Sequence, residues 1–154
     1  MDRPAKAREI IEKILYVTIA TASKDGQPWN SPVFAAYDEH YNFYWTSWAG
    51  TQHSQNISEN PKVFLLIYDS TVPQGQGEGV YIKATAGEMT YPVEMEHAVS
   101  LLYKRKGKEP RKVEEFLGES PRRLYKATPK QCWVNLDIDV KSNFIDTRKE
   151  ISLV

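Results

Sequence analysis

The stretch from Asn30 to Pro61, NSPVFAAYDEHYNFYWTSWAGTQHSQNISENP, constrains the fold more than any other part of the chain. It reads as strand, tight turn, strand, polar loop and short helix, because β-branched and aromatic residues give way to polar ones with helical spacing. One strand runs from Trp29 to Tyr37, the turn falls at Asp38-Glu39-His40, and the next strand runs from Tyr41 to Ser47. Upstream, LYVTIATAS begins at Leu15 and ends at Lys24-Asp25-Gly26-Gln27, where Asp-Gly is a strong hairpin signal. These three strands are therefore expected to form an antiparallel meander. The helix is expected to start at Thr51, whose hydroxyl can cap the amides that follow, and to stop at Asn60-Pro61. A helix start flanked by the hydroxyls of Thr46, Ser47 and Thr51 is a seat for an anion, most often phosphate.

The rest of the chain completes the sheet or walls this seat. Residues 4–14 place Ala7, Ile10, Ile11 and Ile14 at helical spacing, which suits a plug for a barrel. Val63 to Tyr68 is a continuous apolar run, expected as a strand buried on both faces. After the polar loop DSTVPQGQGEG, residues 79–90 alternate, with Val80, Ile82, Ala84 and Ala86 on one side. Pro92 opens a helix with Met95, Ala98, Val99 and Leu102 as its buried stripe. The basic run Lys104, Arg105, Lys106 and Lys108 reads as its solvated end. A shorter piece from Arg111 to Leu117 leads through SPRRLYKATP, read as a connector, to strands at Gln131 to Asp137 and Asn143 to Thr147. The fold class that follows is mainly β with added helices, an antiparallel barrel of about six or seven strands, since closure removes sheet edges.

Residues 1–154 read as one domain. Twenty basic and twenty acidic side chains cancel, whereas a dedicated nucleic-acid or membrane-surface binder carries a basic excess, so neither partner is expected. Cys132 is the single cysteine, which excludes an internal disulfide framework and suits a cytoplasmic location. His40 and His97 sit among charged residues and read as solvated, and no spacing suggests a metal site or a paired general acid and base. Four Trp, nine Tyr and five Phe suit curved sheets, planar-ligand pockets and subunit interfaces.

Three pieces in this order, TIATASKDGQPWNSPV, FYWTSWAGTQHSQNISENPKV and QCWVNL, resemble the FMN-binding split-barrel family that includes pyridoxamine 5'-phosphate oxidase. The resemblance is clearest over residues 14–69 and extends to about 148. It implies a homodimer with FMN in a groove between subunits. Carried over, it puts Asn30, Ser31, Pro32 and Val33 beside the flavin and Thr46, Ser47, Thr51, Gln52 and His53 around its phosphate. Trp133 would flank the planar ring or fill the dimer interface, as would Trp48. The chain departs from pyridoxamine phosphate oxidases proper, which have arginine where Asn30 stands and Ser-Arg-Lys in place of Thr51-Gln52-His53. Losing two charge-assisted hydrogen bonds weakens phosphate binding by about two to four orders of magnitude. The Arg-Leu-His triplet that grips the vitamin substrate is also missing, so pyridoxamine oxidation is not assigned.

His53 as an imidazolium could replace the missing lysine, which would make FMN binding weaken from about pH 6 to 8. Cys132 has no histidine nearby in sequence to activate it and reads as buried and inert. The resulting function is an FMN-dependent oxidoreductase passing hydride or electrons between unassigned small molecules. The alternatives are a non-catalytic binder of flavin, deazaflavin or heme, and an interaction domain whose aromatic groove is a dimer interface.

Overall fold

The computed structural model describes residues 2–140 and 143–154. Its helices are α1 (Arg3–Lys13), α2 (Gln52–Glu59) and α3 (Pro92–Lys106), with a 3-10 turn at Val113–Phe116. Its strands are β1 (Tyr16–Ala22), β2 (Pro28–Phe34), β3 (Ala36–Tyr37), β4 (Phe43–Trp48), β5 (Lys62–Tyr68), β6 (Gly79–Glu88), β7 (Arg122–Val140) and β8 (Asn143–Ile151). All pair antiparallel, in the order β2-β1-β5-β6-β7-β4-β3, with β8 alongside β7. The mainly β, split-barrel architecture expected from the sequence is the one observed.

The sheet rolls up because its two ends belong to one bent strand. Only Ala35 separates β2 from β3, and it is buried, with its N–H donated to Leu15 O at 3.1 Å. On one side of this bend β2 pairs with β1 from Tyr16↔Phe34 to Ala22↔Pro28, and on the other Ala36 and Tyr37 pair with Tyr44 and Phe43. The expected meander is thus corrected: the second strand divides its hydrogen bonds between two neighbours, and β4 runs mainly against β7. The β1–β2 turn closes with Ser23 N–H donated to Gln27 O at 3.0 Å, and Gly26 takes φ 90, which a side chain would oppose.

Two strand expectations also change. β7 begins at Arg122, inside the stretch read as a connector, since its basic residues and Pro129 masked the strand. The proline is tolerated because the register slips between Lys83 and Ala84, leaving Lys130 extra at a bulge where one missing ladder bond costs little. β5 buries Val63, Leu65 and Ile67, whereas Phe64 and Leu66 are only half-buried, so one face rather than both is sealed within this chain. On that outer face Phe64 stacks against Trp133 with ring centroids 6.2 Å apart.

The alternation of β4 separates two apolar clusters. Phe43 and Trp45 face the barrel core with Val17, Ile19, Leu65 and Ile82, and α1 plugs it with Ala7 and Ile11, as its spacing predicted. Tyr44 faces the other way, onto Met95, Ala98, Val99 and Leu102 of α3. The end of β4 is consequently held between the barrel and α3. α3 terminates at Gly107, φ 64, with Gly107 N–H donated to Lys104 O and Lys108 N–H to Tyr103 O, both at 3.1 Å. Arg105, read from sequence as part of a solvated end, instead reaches α1. Its guanidinium donates to Ile11 O at 2.9 Å, Glu12 O at 3.1 Å and Ile14 O at 2.9 Å, and lies 5.1 Å from the Tyr37 ring centroid.

Candidate anion and cofactor site

After the buried Phe43, Tyr44 and Trp45, β4 ends in half-buried Thr46 and Ser47 and in Trp48, which is exposed. The chain then turns into α2, with Thr51 N–H donated to Trp48 O at 3.1 Å. Thr51 is the residue before the helix, as expected, but its hydroxyl caps no amide. It lies 3.0 Å from Trp48 O at the strand end and 2.9 Å from Ser54 Oγ in the first turn of α2.

Ser31, Ser47, Thr51 and His53 do converge, and His53 is the hub. Its Nε2 is 2.7 Å from Ser47 Oγ and 3.3 Å from Thr51 Oγ1, while Nδ1 is 3.1 Å from Ser31 Oγ. The ring is 8% exposed, and burial pushes its pKa below the ordinary value. The imidazolium expected from the sequence is therefore replaced by a neutral ring, one nitrogen donating and the other accepting. Of the hydroxyls foreseen as an open phosphate cradle, those of Ser47 and Thr51 are already engaged with this ring and with one another, while Thr46 lines an adjoining cleft. Gln52 is not part of that cluster: its amide donates to Asn56 Oδ1 at 2.8 Å, and Asn56 donates to Thr21 Oγ1 at 3.0 Å.

The flavin-side quartet is split by the period of the strand. Ser31 faces His53 and Val33 enters the barrel core, whereas Asn30 and Pro32 are exposed on the opposite face. Trp133 is not at this site within one chain. Ser47 pairs with Arg123, and Trp133 lies ten residues farther along β7, roughly 30 Å at ~3.3 Å per residue. Cys132 is buried as expected, and burial pushes its thiol up to about 12.

Sequence reasoning missed the open, charged part of the site. A cleft of about 390 Å³ lies beside Thr46 and Ser47, with Lys106 and Lys108 from the end of α3, then Arg111, and Arg122 from the start of β7. Arg122 pairs in register with Trp48, and its guanidinium lies 5.2 Å from the indole centroid. The signal was present in the two basic runs, but nothing in the sequence places them on one side of β4 while β7 is read as a connector. A larger concavity of about 840 Å³ lies between α1 and the β7–β8 pair. Its wall mixes Arg3, Lys6 and Lys149 with Asp2, Glu78 and Glu150, so it favours neither sign of ligand.

The family model described as pyridoxamine 5'-phosphate oxidase matches residues 4–135. A comparison with curated proteins finds no match. Among solved structures, HutZ, the heme storage protein from Vibrio cholerae, is 15% identical, with 85% of this chain and 92% of that one covered at a TM-score of 0.68. ChuZ from Campylobacter jejuni is 14% identical, with 96% and 58% covered at 0.72. An F420 reductase is 19% identical, with 81% and 94% covered at 0.59. At these identities the likeness is one of fold.

Proposed function

The chain belongs to the pyridoxamine 5'-phosphate oxidase family, and from that premise we propose that it is an FMN-binding oxidoreductase, with its cofactor in a groove between two copies. The observation that carries this reading is the convergence at the end of β4 of Ser47, Thr51 and His53, which the resemblance puts around the phosphate, with Ser31, which it puts beside the flavin, and with a cationic cleft opening next to Ser47. The donor set fits a phosphorylated flavin through hydroxyls and cations, not through the hydroxyls alone. Bound FMN would supply the one- and two-electron chemistry. The chain's own part is to bind and orient: Asn30 and Pro32 present an exposed surface on β2, and that strand ends the sheet with one edge free of strand partners among the described residues. Phe64, Leu66 and Trp133, half-covered on the outer face, suit the second copy.

Heme is the alternative ligand suggested by similarity to HutZ. Iron takes a histidine, thiolate, methionine or tyrosine as axial ligand. Both ring nitrogens of His53 are engaged and the Cys132 thiol is pushed up to about 12, so neither offers a ready ligand. The flavin reading is tested by mixing the FMN-loaded chain with reduced nicotinamide cofactors without oxygen. Bleaching of the flavin absorption is expected; an FMN complex that no such donor bleaches would make the chain a binder instead.

A further inference from the structure

We propose that the concavity of about 840 Å³ between α1 and the β7–β8 pair binds a small zwitterion of the amino-acid type, a free amino acid or a short peptide, through its ammonium and carboxylate groups together. None of the residues that line it takes part in the flavin reading, so either can fail without the other.

The concavity exists because the sheet is stepped. β6 stops at Gly79, whereas β7, paired with it as far as Val80↔Val134, carries on against β8 alone, and the start of α1 walls the step. Val134 on its wall belongs to the barrel core, while Trp133, one residue earlier, faces the outer side with Phe64. Strand alternation therefore sets the concavity on the opposite face from the one that suits a second copy. Its volume falls within the range of about 300–1,000 Å³ usual for small-molecule sites.

The charges on its wall select the ligand. Arg3, Lys6 and Lys149 stand with Asp2, Glu78 and Glu150, so both signs are equally represented. Lys6 pairs with Glu9 at 3.5 Å, and the other five make no salt bridge among the described residues. An ion of one sign is attracted by one set and repelled by the other, whereas a zwitterion turned the right way meets both favourably. Each contact is weak in open water, but a concavity shields it in part and one ligand closes two at once. Between the charges the floor is apolar: Val134 is buried, and Ile10 and Ile151 are half-buried against the core. That floor suits an apolar side chain on the ligand. Asn135 on the same wall is held in place by Gly79 N–H, which donates to its Oδ1 at 2.7 Å, so binding there orders little that is not already ordered.

The test titrates the full chain by calorimetry with leucine, with leucyl-leucine, and with leucyl-leucine acetylated at its amine or amidated at its carboxylate. Saturable binding of leucine or leucyl-leucine is expected. Each cap is expected to weaken the dipeptide about fivefold or more, and so is at least one of two exposed substitutions, Arg3→Gln and Glu78→Gln, with melting temperatures to show that both variants fold. Where leucine binds and the dipeptide does not, the substitutions alone are read and the ligand is a single amino acid; tighter binding of the dipeptide makes it a peptide. If neither zwitterion binds saturably, if only one cap weakens a dipeptide that binds, or if neither substitution does, the proposal is overturned.

Discussion

Replacing Arg105 by alanine is expected to lower the unfolding free energy by about 3 kcal/mol and the melting temperature by roughly 6–12 °C. The guanidinium accepts nothing and donates to three carbonyls at the end of α1, those of Ile11, Glu12 and Ile14. Those carbonyls have no partner within the helix and sit at the negative end of its dipole, where a cation is favoured. The same side chain spans from α3 to the Tyr37 ring, so its loss also loosens the helix whose Ala7 and Ile11 plug the barrel. The exposed neighbour Lys104 is the control, since Lys104→Ala is expected to stay within about 0.5 kcal/mol. Equal effects at the two positions in a thermal melt would show that the tie between α3 and α1 contributes little.

His53→Ala is expected to cost about 2–3 kcal/mol, because Ser31 and Ser47 each lose their partner in a part-buried cluster. The wild-type ring also gives stability a pH dependence of definite sign. Its folded pKa lies below its unfolded value of about 6.5, so below that pH the unfolded chain binds more protons than the folded one. Stability therefore falls as pH drops from about 6.5 towards the folded pKa, and is level in this respect above it. His53→Gln, which keeps a hydrogen-bonding side chain but does not titrate, should flatten that slope. Denaturant midpoints of both proteins from pH 5 to 8 decide the matter, and parallel curves would remove His53 from the account. Between about pH 7 and 8 His53 stays neutral, so it gives ligand binding no pH dependence there, contrary to what an exposed helix-start histidine would do.

Local pattern made much of the fold legible. The stripe of α3, the plug residues of α1, the alternation of β6 and the Asp25-Gly26 turn each follow from spacing or turn chemistry, and each is observed. What stayed hidden depends on partners distant in sequence. Nothing local to Ala35 says that the strand bends there and changes neighbours, and Pro129 argues against a strand until Lys130 is seen as the extra residue of a bulge. The site divides in the same way. Ser47, Thr51 and His53, expected around the phosphate, lie together, and Ser31, expected beside the flavin, joins them through the His53 ring, whereas Val33 and Gln52 fall elsewhere for reasons of strand period and helix-side hydrogen bonding. The cations at 106, 108, 111 and 122 could be placed only once β7 was known to start beside β4.

One titration bears on the central claim more directly than any substitution. Ligand-free protein is titrated with FMN while flavin fluorescence and melting temperature are followed. A saturable change reaching one FMN per chain, with a rise in melting temperature at saturation, is the predicted result. Fluorescence that never saturates and a melting temperature that FMN leaves unmoved would contradict the account.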